Sequence, residues 1–259
     1  MRNVYGRDCT LTLRINTDYY PLPYKEETVR EEETGYYLDA SIKDGNEPAV
    51  FIRTGYTVTG CVVTRLETAT LQRVLSILSN DSDSFDFIID RITECRIYEK
   101  LTVHDFELRA ENGGAFYLKL NVQGTKDSTI SDWPINKPHF DWIRGRTLLF
   151  DGHTLTAEKE KLPLVYLMSL TGMCRGIRKR QLSLHAPLSS GSILGTARKM
   201  PELTIPLNGC MRLTCTGLVP VSDLADVDCG DTVLVTRKFR IAGTCTAERI
   251  GTGAWSVTL

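Results

Sequence analysis

Motifs of catalysis are scarce in this chain of 259 residues. The histidines are His104, His139, His153 and His185, and no two stand at HxH or HExxH spacing, which removes the common zinc-hydrolase patterns. There is no GxSxG elbow, no P-loop and no GxGxxG, so Gly113-Gly114 suits a turn better than a phosphate cradle. None of the eight cysteines (Cys9, Cys61, Cys95, Cys174, Cys210, Cys215, Cys229, Cys245) belongs to a CxxC. That excludes a thioredoxin-like motif and leaves poor zinc geometry. No run approaches the about 18 apolar residues of a membrane span. The stretch Met1 to Cys9 lacks the apolar core of a secretory signal. The expectation is a reducing cytoplasm and cysteines acting as small buried hydrophobes, with a disulfide or a metal site as alternatives. Lys and Arg number 31 against 32 Asp and Glu, which argues against a dedicated histone-like DNA binder.

What is present is alternation. With 42% hydrophobic and 24% charged residues, the chain can bury one large core or two smaller ones. Period-two runs rich in Val, Ile, Thr and Tyr predict strands at Thr10–Ile15, Val50–Thr54, Tyr56–Leu66, Ile92–Tyr98, Val103–Ala110 and Ala115–Gln123. Later ones fall at Arg146–Phe150, Gln181–Ala186, Glu202–Pro206, Cys210–Leu218, Thr232–Thr236, Phe239–Ala247 and Ala254–Leu259. The turn Glu111-Asn112-Gly113-Gly114 between two of them is a strong hairpin signal. The best helix is Glu67–Ser79, where Leu71, Val74, Leu75 and Leu78 make one apolar stripe, read as a core face. Leu162–Leu170 is a weaker second helix, disfavoured by Pro163 and its β-branched residues. Tyr19–Gly35 and Pro187–Met200 read as long loops, either solvated or reaching a neighbouring subunit.

The near-neutral total hides a split. Residues 1–130 carry 15 basic and 21 acidic side chains, and residues 131–259 carry 16 and 11. Apart from chance, the reading is that copies meet acid to base, since complementary charge sets orientation and register. The acidic run is Glu31-Glu32-Glu33, and the basic cluster is Arg175 to Arg180. Against phosphate binding, that cluster has no finger, RNP motif or helix-turn-helix around it. A weak internal repeat matches Gly114–Leu120 with Gly253–Leu259, Phe106-Glu107-Leu108 with Phe239-Arg240-Ile241, and Gly60-Cys61 with Gly209-Cys210. The second copy would carry a shorter helix, or Ser222–Val227 in its place.

The stretch Val103 to Gly124, with its Phe106-Glu107-Leu108 strand, its turn and its second strand ending on Gly124, resembles the hairpin of tail tube proteins of tailed bacteriophages. The preceding Gly55–Gly60 strand and the Glu67–Ser79 helix are similar too, so the resemblance covers residues 50–124. It implies a mainly β chain with one or two tail-tube-like β-sandwich or barrel domains, each with at most one short helix. The divisions would be a tube-like domain over 1–127, a linker over 128–138 and a second β domain over 139–259, a duplicate or another β-module. It also implies a structural virion protein without catalysis and without cofactor. Copies would assemble into a ring of three or six chains, meet other tail or baseplate proteins, and surround a lumen for viral DNA, which passes without sequence-specific binding. The protein would be made in the host cytoplasm, end in the virion tail and touch no membrane. Hub and distal tail proteins share the fold and remain open. The inter-subunit contact residues expected are Glu31, Glu32 and Glu33 on one side and Arg178, Lys179 and Arg180 on the other. A nucleic-acid-binding β-barrel protein is the reading from another class.

Overall fold

The structure, a computed structural model, describes residues 9–38, 50–79, 84–91, 94–124, 126–130, 146–174, 179–187, 199–226 and 234–259. The fold is mainly β, with one short helix among the described residues. In the first half run β1 (Thr10–Ile15), β2 (Asp18–Leu22), β3 (Tyr24–Glu27), β4 (Arg30–Leu38), β5 (Val50–Arg65), α1 (Leu71–Ser79), β6 (Phe85–Asp90), β7 (Cys95–Glu111), β8 (Tyr117–Gly124) and β9 (Lys126–Ile130). In the second run β10 (Thr156–Ala157), β11 (Glu160–Lys161), β12 (Leu167–Met173), β13 (Arg180–Pro187), β14 (Met200–Asn208), β15 (Met211–Asp226), β16 (Leu234–Ile241), β17 (Cys245–Arg249) and β18 (Trp255–Thr258). No helix among the described residues is long and apolar enough to cross a membrane.

Every strand pairing is antiparallel, and one sheet dominates. Its order is β4-β5-β8-β7-β12-β13-β16-β15, with β3 continuing the line of β4 beside β5. Two long strands leave it. The first part of β7 joins β6 and β9, with β1 and β2 beyond; the first part of β15 joins β14 and β17, with β10, β11 and β18 beyond. Alternate residues of the main sheet face these smaller sheets, and one large apolar cluster from Leu11 to Leu259 fills the space, with a second, small one of Ile88, Cys95 and Ile97. In α1, Leu71, Val74, Leu75 and Leu78 are buried as the stripe requires. The helix starts later than its pattern, because Glu67 forms a bridge with Thr147 and residues 68–70 make a turn, in which the Glu67 carbonyl accepts the Thr70 and Leu71 N–H groups.

The two halves follow one pairing scheme. In each, a hairpin (β4–β5, β12–β13) precedes a strand (β6, β14) that pairs with the start of a long strand (β7, β15). The end of that long strand pairs with the next strand (β8, β16), which returns beside the hairpin. The match extends to irregularities. Within β7 the register shifts between Val103 and Asp105, and within β15 between Pro220 and Ser222, each 117 residues later. Lys100 (φ 54) and Gly217 (φ 63), also 117 residues apart, hold the left-handed conformation where each long strand changes sheet. A left-handed residue beside a bulge re-aims the strand.

This scheme differs from the short motif matches. Gly114–Leu120 enters β8, which lies inside the main sheet, whereas Gly253–Leu259 enters β18, which pairs with β17 alone. Ser222–Asp226 lies in β15 rather than in a helix. Tyr19–Gly35 is no arm: it forms β2, β3 and most of β4, and Pro21 and Pro23 are tolerated because this is the margin of the sheets. Leu162–Leu170 gives the start of β12 instead of a helix, and Arg146–Phe150 makes only isolated bridges. Residues 128–130, expected in the linker, end β9. The hairpin turn forms as expected, with Gly113 at φ 76, and the Asn112 side chain accepts the Gly152 N–H at 2.9 Å.

Cysteines 95, 174, 215 and 245 are buried, Cys9 and Cys61 half-buried and Cys210 exposed, while Cys229 lies outside the described residues. The Cys215 and Cys245 sulfurs stand 3.0 Å apart across β15–β17. That hydrogen bond, with burial, pushes the Cys215 thiol above its ordinary range. Iodoacetamide on the native protein should therefore label Cys210 and spare Cys215 and Cys245 until unfolding, as peptide mass spectrometry would read.

The two left-handed positions give a paired expectation. Lys100→Gly should stabilise by roughly 0.5–1 kcal/mol, the left-handed penalty less the added freedom of the unfolded chain. Gly217→Ala should destabilise by about 1–2 kcal/mol, since its Cβ would also press the Gly243 amide at 2.9 Å. Urea unfolding of both variants checks this, and shifts of the same sign would refute it.

Candidate assembly surface

The main sheet has two unlike faces because each strand alternates. One face presents Leu108, Leu118, Leu120, Leu170, Leu182, Leu184 and Phe239 to the core. The other carries ladders of polar side chains across the register. One ladder reads Lys119, Glu107, Thr171, Gln181, Arg240, and the next Tyr117, Arg109, Ser169, Ser183, Lys238. Cross-strand partners hold parts of it in place: Ser169 donates to Glu107 at 2.9 Å, and His185 meets Thr236 at 3.0 Å. Two hollows open on this face. One of about 620 Å³ is lined by Asp105, Asn121, Lys179 and Arg240, and one of about 420 Å³ by Lys25, Arg109, Glu111 and Tyr117.

The register shift in β7 breaks the alternation of that strand. Strict alternation puts His104 and Asp105 on opposite faces. The extra residue of the bulge instead brings His104 Nδ1 to 2.8 Å from Asp105 Oδ2, while Asn121 Nδ2 donates to Asp105 Oδ1 at 2.5 Å. The Asp105 carboxylate is thus occupied by an imidazole and an amide. Cys61, across β5–β8 from Asn121, has its thiol pushed up by burial, which disfavours the nucleophilic thiolate. Among the described residues no three His, Cys, Asp or Glu side chains converge to hold a metal.

The seam between the halves is β7–β12, seven residue pairs from Leu167 opposite Glu111 to Met173 opposite Asp105. One pair from its end Gly172 stands opposite Phe106, whose ring covers it, and a Cβ there would lie 2.5 Å from that ring. An aromatic over a strand glycine repairs the gap the missing side chain leaves. The Arg180 stem covers the same glycine from β13.

Glu31, Glu32 and Glu33 are in β4, at one margin of the main sheet. Glu31 and Glu33 are exposed. Glu32 is half-exposed, and its carboxyl is lowered by the hydrogen bond from Arg30, whose guanidinium lies at 2.8 Å. At such exposure the pair contributes little stability. Glu27 is different: its carboxylate accepts the Val29 N–H at 2.6 Å and an Arg91 N–H at 2.8 Å, with a side chain only 7% exposed. It fixes the β3–β4 line to the end of β6. Of the expected basic contacts, Arg178 lies outside the described residues, Lys179 is exposed, and Arg180 is buried at the start of β13, contrary to a solvated contact role. Of the two described members of that run, Lys179 is at the surface and Arg180 is not. The cations nearest the opposite margin are Arg237, Lys238 and Arg240 on β16. They belong to the short run Arg237-Lys238-Phe239-Arg240, in which alternation turns Lys238 and Arg240 to the polar face and buries Arg237.

Known protein families and curated proteins give no match to this chain.

The seam makes a coupling prediction. Gly172→Ala should destabilise by about 1–3 kcal/mol through overpacking. Combined with Phe106→Leu, it should cost less than the two single changes together, because the smaller side chain makes room. Thermal melts of the three variants complete the cycle, and strict additivity would contradict the contact.

Proposed function

We propose that this chain is a self-assembling structural protein of a phage tail, a tube-like ring component without catalysis. The observation that carries the reading is the eight-stranded sheet: apolar on its buried face, polar on the other, and built from two halves with the same pairing scheme. The outermost strands, β4 and the end of β15, pair on one side only among the described residues. A sheet with two such edges can close by meeting further copies, and closure removes the edge hazard.

The two halves are then a duplicated unit, and three chains make a ring resembling six units, with the polar face toward the lumen. The likeness of residues 50–124 to tail tube proteins supports this placement, and a hub or distal tail position uses the same surfaces. The lumen would be mixed in charge, since Lys119, Arg109, Lys238 and Arg240 share the polar face with Asp105, Glu107 and Glu111. Those cations also favour the second reading, a β-barrel protein that holds single strands on this face.

Negative-stain microscopy of concentrated protein, with nucleic acid removed, separates the two. Rings or short tubes with a central channel are expected. A monomer at all concentrations that binds oligonucleotides with a steep salt dependence would replace the ring by the second reading.

A further inference from the structure

The seam inside the chain is a finished example of the joint the proposed ring needs, and its register transfers to the open edges. On one side, residues 26–31 stand to β5 as β12 stands to β13. Glu26 faces Val63 and Val63 faces Lys119, just as Leu167 faces His185 and His185 faces Thr236. The correspondence holds at a constant 141 residues, from Glu26 with Leu167 to Arg30 with Thr171 and Glu31 with Gly172. On the other side, the end of β15 corresponds to the end of β7 at 117 residues, so Asp105, Phe106 and Glu107 match Ser222, Asp223 and Leu224.

In the seam Thr171 pairs with Glu107, Gly172 with Phe106 and Met173 with Asp105. From this we infer that a second copy of this chain docks on β15 through residues 28–32, antiparallel to 222–226, with Arg30 opposite Leu224 and Glu32 opposite Ser222. The inference rests on the ring reading above and adds which edges meet and in what register. Three independent features agree with it. The polarity is right: the main sheet has an even number of alternating strands, so β15 and the next copy's β4 run antiparallel. The charges complement one another on the polar face: Ser222 is paired with Lys238, which places Glu32 of the neighbour about 9–10 Å, two strand spacings, from that cation, while the next pair sets Glu31 opposite Asp223, beside the buried Arg237. Long side chains span that distance. The ends coincide as well. In the seam the Cys174 N–H reaches the carbonyl of the bulge residue His104; the matching atoms are the Glu33 N–H and the Val221 carbonyl, and Val221 is an apolar side chain left 59% exposed.

Directly paired residues of an antiparallel ladder have Cα atoms roughly 4.5–5.5 Å apart, within disulfide range. The test is the double variant Glu32→Cys with Ser222→Cys, and a second, Arg30→Cys with Leu224→Cys, each in a Cys210→Ser background and each required to melt like the parent when reduced. An off-register pair, Glu32→Cys with Leu224→Cys, is the control. After mild oxidation at ring-forming concentration, peptide mass spectrometry should find the in-register pairs linked between chains, far above the control. Rings in which the off-register pair links as well or better would overturn the register and leave the ring standing. Absence of rings and of every inter-chain link would overturn both.

Discussion

The β7–β12 seam is the constraint on which the rest of the structure depends. Backbone N–H and C=O groups inside a sheet must find partners, and here β7 of the first half supplies them to β12 of the second. Because of that ladder, the two halves share one sheet and one apolar cluster instead of forming separate bodies joined by a tether. The glycine under Phe106 makes room for that ring near one end of the joint, and Ser169 with Glu107 adds a side-chain bond on the polar face.

The division of labour between the faces follows from alternation. Inward positions of β7, β8, β12 and β13 are mostly apolar, with Gly172 and Arg180 as exceptions at the seam, and outward positions are mostly polar or charged. Long strands serve both layers because each changes sheet at one left-handed residue, glycine in one half and lysine in the other. The lysine keeps its conformation because its N–H is held by Asp86 at 2.8 Å and the neighbouring ladders leave no alternative path.

Much of this was legible in the sequence. The strand class, the Asn112-Gly113 turn and the buried stripe of α1 all depend on local period and turn chemistry, which a sequence displays directly. What escaped depends on long-range pairing. Tyr19–Gly35 reads as a loop from its prolines and acids, yet β5 supplies a ladder that makes its strands. Leu162–Leu170 has enough Leu and Met to suggest a helix, but seam pairing with β7 decides its state. The repeat is real at the level of pairing and nearly invisible in letters: Lys100 corresponds to Gly217, His104 to Val221 and Gly172 to Glu31, pairs with no chemistry in common. Of the contact residues expected, the acidic run does lie on an edge, whereas Arg180 is buried because its stem is needed over Gly172.

Carrying the seam within one polypeptide has a kinetic meaning. The two strands that form it are never free of each other, so they meet at an effective concentration set by the connecting chain and not by dilution. In the proposed ring the edges of β4 and β15 would instead meet a partner by diffusion. Such a protein would complete one joint while it folds and leave the other sensitive to how much of it has accumulated. Concentration would then govern when the second joint forms, without putting the first at risk.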